Sequence, residues 1–217
     1  MSPDHRLKLP KIGTVENYRH FWLLSIWIVY LIFYVIAEHA VTENYWVSYM
    51  ALDDRIPFLE IFIIPYCLWH PMLAAMTVYL AFFDVDTFRK FMASVALGFL
   101  PVLVFCVLFP NGQDLRPTEF PRTNLLTGIV SLIYAADTNT NVLPSMHVIG
   151  CAILTAASFS CKKLRSRKLH LIMLPVCILI CISTVFVKQH SLLDLLAAIP
   201  YSAFVLLVVY WRPKKQV

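Results

Sequence analysis

Apolar residues gather in long runs separated by short polar segments. Six runs reach or approach the roughly 20 residues a helix needs to cross a bilayer. They cover residues 21–37, 58–83, 91–109, 145–160, 171–187 and 192–211. The second run carries Pro65 and Pro71, which predicts tilt or a kink. A seventh apolar stretch, 124–136, is too short to span and is expected at the interface. The aromatic segment 46–51 is expected at headgroup level too. The pattern predicts an all-α fold: an integral membrane bundle of six helices with one additional short interfacial helix. It shows no repeat and no domain boundary, so residues 1–217 read as a single membrane domain.

The polar segments set the orientation. The N-terminal arm (Arg6, Lys8, Lys11, Arg19) and the loops at 84–90 and 161–170 are basic, as is the tail with Arg212, Lys214 and Lys215. Threading six helices puts all four segments on one side, which the positive-inside rule makes cytoplasmic. Both termini are then cytoplasmic, and segments 38–57, 110–144 and 188–190 lie outside. The first apolar run ends at Ala37 with no cleavage pattern and reads as an uncleaved helix.

Composition agrees with this frame. The chain is 59% apolar and 14% charged, against about 25% charged in a soluble domain. Disorder is excluded. The formal charge of +5 is a difference between a basic inner face and an acidic outer one. It marks orientation, and nucleic acid is not an expected partner. The six cysteines lie in or at the ends of apolar runs without metal-binding spacing, and read as small buried residues.

Polar groups at membrane depth are costly and ask for a reason. The outer side collects three groups. Arg116-Pro117 follows the third span, Pro144-Ser145-Met146-His147 opens the fourth, and Ser183 to Asp194 crosses the turn between the fifth and sixth. His190 and Asp194 are four apart, on one helical face. A carboxylate on one imidazole nitrogen raises the basicity of the other and makes a nucleophile. An ordinary helix start would also carry such a pair. Ser145 and His147 sit where free helix N–H groups favour an anion, although an interfacial helix start looks the same. Arg116 offers a planar fork to phosphate, or simply to headgroups. Arg122 and Lys188 are weaker candidates for that job. Asp137 and Asn141 are expected to shape the turn before Ser145, with donor contact by Asn141 as the alternative. His70, beside Pro71, reads as structural, with a headgroup pocket as the alternative.

Taken together these groups resemble the type 2 phosphatidic acid phosphatase superfamily, whose signatures are K-x6-R-P, P-S-x-H and S-R-x5-H-x3-D. The second is intact in residues 144–147, and the third keeps Ser183, His190 and Asp194 in frame. The first keeps only Arg116 and Pro117, with Phe109 at the lysine position, and Thr184 stands at the third signature's arginine. The likeness covers approximately 91–211. It is similar to the lipid phosphotransferase branch that includes inositol phosphorylceramide and sphingomyelin synthases. The inositol phosphorylceramide synthase type is suggested by residues 183–190 and by Ile56-Pro57-Phe58 with Pro65-Tyr66 and Leu68-Trp69.

The resemblance implies a lipid phosphatase or phosphotransferase without metal or cofactor, in a multi-pass protein of the plasma membrane if bacterial and of an endomembrane otherwise. Phospholipid or lipid phosphate would be the substrate and the bilayer the setting. His190 would be the nucleophile, Asp194 its orienting acid and His147 the general acid and base. Arg116 and Ser145 would hold phosphate oxygens, with Lys188, Arg122 and Asn141 as further substrate contacts. The alternatives are a plain phosphatidate or isoprenyl diphosphate phosphatase, or a non-catalytic membrane protein or transporter.

Overall fold

The computed structural model describes residues 15–41 and 43–211. The basic arm through Lys11 and the tail from Arg212 lie outside the described residues. The fold is all-α with one minimal ladder. Its helices are α1 (Ser25–Ala40), α2 (Ile63–Cys67), α3 (Trp69–Phe83), α4 (Val85–Leu108), α5 (Leu125–Ala136), α6 (Met146–Ser160), α7 (Arg167–Phe186) and α8 (Leu192–Tyr210).

Five helical stretches are long and apolar enough to cross a membrane: Tyr18–Ala40, Glu60–Phe83, Val85–Leu108, Arg167–Phe186 and Leu192–Tyr210. They are those of a multi-pass membrane protein. The shorter apolar helices are α5 and α6. The expected fourth span is thus a helix of only 15 residues. The second run is broken, as its prolines predict. α2 stops at Cys67 and α3 starts at Trp69. Pro65 and Pro71 each fall in the first turn of a helix, where a missing N–H costs no bond.

Helix α4 is the hub, packing against α1, α3, α6 and α8. Its Phe88, Phe91 and Phe99 share one buried cluster with Leu80 of α3 and Ile149, Ile153 and Leu154 of α6. Outward positions are equally apolar. Ile28 and Ile32 of α1, Ile178 of α7 and Leu207 of α8 are all exposed. Burying one such side chain is worth about 1.5–3 kcal/mol, so contiguous apolar faces of this kind suit lipid and not water.

The loops at one end are stitched together. Strand β1 (Trp46–Val47) pairs in parallel with β2 (Asn111–Gly112), in the register Trp46 to Asn111 and Val47 to Gly112. Thr140 adds an antiparallel bridge to Gly112. Segments before α2, after α4 and after α5 therefore meet at the end of the bundle where α6 and α8 begin. All six cysteines are free thiols, four of them buried.

Candidate active site

Ser191 caps α8, accepting from the Leu193 N–H at 3.1 Å, while Asp194 in the first turn bonds back to the Ser191 N–H at 2.9 Å. This capping box fixes Asp194 at the helix start. The same carboxylate oxygen meets His190 Nδ1 at 3.1 Å, and its other oxygen accepts from Ser48 Oγ at 2.5 Å. Asp194 is wholly buried, and His190 is 7% exposed. An acceptor-only carboxylate requires the proton on Nδ1, which leaves the Nε2 lone pair free.

A second buried acid, Asp53, braces this turn. It accepts from Ser191 Oγ at 2.6 Å, Leu192 N at 2.9 Å and Met50 N at 2.8 Å. A carboxylate at the amino end of α8 is favourably placed against the helix dipole. Lys188 serves the same brace. Its backbone is left-handed (φ 54°) just beyond α7, and its ammonium donates to the Asp53 carbonyl at 2.9 Å. Burial pushes the Lys188 ammonium pKa down, opposed by Asp53 and Asp54.

His147 projects from the first turn of α6 and is 8% exposed. Neither ring nitrogen has a hydrogen-bond partner. The ring packs on Trp69 at 4.5 Å and Tyr66 at 4.8 Å, and meets His190 edge-on at 5.5 Å between centroids. Trp69 reaches it because residue 150 is glycine. A Cβ there would lie 2.5 Å from the indole nitrogen. Ser145 is the N-cap of α6, yet its hydroxyl makes no cap bond and has no partner.

Both histidines border a cavity of about 530 Å³ between α1 and α3. Trp27, Tyr30 and Leu31 of α1 and Leu73, Ala74 and Val78 of α3 form its apolar walls. Glu38, Asp137, Asn141 and Gln189 line its polar end, and no lysine or arginine is among the lining residues. His70 lines it as well.

The fold therefore brings together His190, Asp194, His147, Ser145 and Asn141. The three candidate cations are placed differently. Arg116 donates to the carbonyls of Tyr134 (3.2 Å), Asp137 (3.0 Å) and Thr138 (2.6 Å) and to Gln189 Oε1 (2.5 Å), with its guanidinium 4.5 Å from the Tyr134 ring centre. Only its buried Nε lacks a partner. Lys188 holds Asp53. Arg122 is exposed and pairs with Glu60 at 2.9 Å, next to the cap of α5.

The turn before Ser145 is shaped otherwise than expected. Asn141 is left-handed (φ 60°) and donates to the Ala37 carbonyl and Glu38 Oε1, both at 3.1 Å, tying the loop to the end of α1. Asp137 accepts from Tyr34 Oη at 2.7 Å and Gln189 Nε2 at 3.3 Å. Burial pushes its carboxyl pKa up, with the Tyr34 hydroxyl opposing. Sequence reasoning missed Ser48, Asp53, Glu38 and Gly150 as site residues. Ser48 and Asp53 stand 146 and 138 residues from their partners, so no local spacing signals them.

Compared with known proteins, the chain matches no family model, no curated protein and no solved structure.

Proposed function

We propose that this chain is an integral membrane lipid phosphotransferase working through a phosphohistidine, of the type 2 phosphatidic acid phosphatase kind. In this reading α6 is the fourth of six membrane helices and both termini are cytoplasmic. The observation that carries it is His190, oriented by buried Asp194 and meeting His147 edge-on at the border of a cavity with apolar walls and one polar end. An imidazole with a fixed tautomer, a second imidazole within reach and a lipid-sized cleft are what phosphoryl transfer between lipids needs.

The chemistry runs in two displacements. His190 Nε2 attacks phosphorus and the bond from phosphorus to the leaving alkoxide breaks, with His147 donating its proton to that oxygen. An acceptor hydroxyl then attacks phosphorus, the phosphorus–nitrogen bond breaks, and His147 takes the hydroxyl proton. Asp194 stabilises the imidazolium that forms along the way. The unbonded Ser145 hydroxyl and the first N–H groups of α6 face developing charge on the phosphate oxygens.

With the cations held elsewhere, a dianionic monoester has little to balance its second charge. A monoanionic diester is favoured as donor, and an alcohol or water accepts. The test is the purified protein in lipid nanodiscs with labelled phospholipid donors. Phosphate, diacylglycerol and any new headgroup lipid are counted separately. Diester turnover with a labelled protein intermediate, both lost in His190→Ala, is the expected result. Turnover that survives His190→Ala sinks the nucleophile assignment, and a strong preference for monoesters sinks the donor class.

A further inference from the structure

We propose that the polar end of the cavity selects a lipid headgroup that carries a positive charge, with Glu38 and Asp137 as its counter-ions. This rests on the reading of the site as one that takes phosphodiester lipids, and it adds the headgroup's chemistry.

Two carboxylates line the cavity, and neither has an ion-pair partner among the described residues. The nearest guanidinium, that of Arg116, spends its terminal nitrogens on three carbonyls and Gln189. An anionic headgroup would meet like charge there. The aromatic lining points the same way. Tyr30 and Tyr34 stand side by side on α1, ring centres 6.1 Å apart, and Tyr34 is bonded directly to Asp137. Aromatic rings combined with half-buried carboxylates are chemistry that holds an ammonium group.

A polyol headgroup would use the same residues differently, since it needs directed acceptors. Those are partly occupied. Glu38 already accepts from Thr138 N (3.0 Å), Thr138 Oγ1 (2.6 Å) and Asn141 Nδ2 (3.1 Å), and both Asp137 oxygens are bonded. A carboxylate has about four acceptor positions. Its charge persists when they are filled, and a quaternary ammonium asks only for charge. The cavity is also open to a ligand in polar terms. His147 is more than nine-tenths buried with both nitrogens unpartnered, and Asn141 Oδ1 is unpartnered too. A zwitterionic phosphodiester fits both ends, with its phosphate by the histidines and its ammonium by Glu38 and Asp137.

The test uses the full-length His190→Ala protein in uncharged maltoside micelles, so that binding is read without turnover. Dodecylphosphocholine and dodecylphosphoglycerol share one chain and one phosphodiester and differ in headgroup charge. The expected result is at least tenfold tighter binding of the choline compound, most of that preference lost in Glu38→Gln, and part regained in Glu38→Asp. Equal or tighter binding of the glycerol compound overturns the proposal, as does a preference that Glu38→Gln leaves intact. Tighter binding of an inositol headgroup would make this a polyol site instead. Should Glu38→Gln not yield folded protein, Tyr30→Leu carries the same test, with a several-fold loss of preference expected. A missing headgroup preference defeats this proposal alone, whereas absent turnover in the native protein defeats the enzymatic reading alone.

Discussion

The backbone N–H of Ser145 donates to the backbone carbonyl of Asp194 at 3.1 Å. This bond joins the start of α6 to the first turn of α8. It holds the two histidine-bearing segments at a fixed offset, so the pair does not depend on side-chain packing alone. It also spends the Ser145 amide. In the proposed site, anion binding at this helix start would fall to the Ser145 hydroxyl and the N–H groups that follow.

Ser145→Ala separates these roles. The main-chain bond survives, and the hydroxyl makes no cap bond to lose, so the usual capping loss of about 1 kcal/mol should be absent. Turnover is expected to drop roughly tenfold or more, as for loss of an oxyanion donor. Thermal unfolding and kcat measured together check this; a large fall in the unfolding midpoint would make Ser145 structural.

In the proposed reaction Ser48 would act through Asp194, to which its hydroxyl donates. Ser48→Ala removes one hydrogen bond to a buried carboxylate, worth about 1.5–3 kcal/mol, and should lower kcat roughly ten- to a hundredfold with little change in KM. Ser48→Thr keeps the hydroxyl and should restore most of the rate. Failure of threonine to rescue would point to packing and not to the bond.

Gly150→Ala places a methyl group against the Trp69 indole, which must then shift from its present packing on His147. Overpacking of this kind costs about 1–3 kcal/mol. Lower kcat with a shifted tryptophan emission is the expected signature. Unchanged emission with normal kcat would show that the indole has room elsewhere.

Asp137 gives stability a pH dependence. Because burial raises its carboxyl above the ordinary 3.8, the folded chain keeps a proton that the unfolded chain releases. Stability from this group is therefore greatest at low pH and falls as pH rises from about that value through the folded one. Asp137→Asn has nothing to titrate and should flatten that portion of the profile. Unfolding midpoints over roughly pH 4–7 for the two proteins decide it, and identical slopes would assign the effect to other groups.

Arg116 and Arg122 should part company. Arg116→Lys cannot reproduce a fork bonded to three carbonyls and an amide, and is expected to cost about 2–4 kcal/mol of stability. Arg122→Ala breaks an exposed pair worth at most about 1 kcal/mol and should leave turnover near normal. If Arg116→Lys lowered kcat without touching stability, the arginine would be a phosphate ligand after all.

Long apolar runs were legible because length alone distinguishes a membrane helix. The break at Leu68 followed from two prolines, each of which found a helix start. The short α6 was legible as apolar, but its 15 residues match a span only loosely. Within the site, His147, His190 and Asp194 stood out through spacing, since i to i+4 pairs and helix starts are local facts. Ser48 and Asp53 reach Asp194 and Ser191 across the bundle, and Glu38 enters from the end of α1. Such contacts leave no period to read. Arg116 was visible as a fork but not in what it would grip, because its carbonyl partners sit in the last turn of α5 and the loop that follows, whose placement only the fold determines.

The cavity between α1 and α3 includes Leu31 and Val78, which are 57% and 58% exposed on the outer apolar surface. The site therefore communicates with the side of the bundle. A substrate arriving by that route never passes through water, and what governs its encounter is mole fraction in the membrane plane. Diluting such a lipid with inert lipid would slow the reaction, whereas diluting the whole suspension with buffer would not.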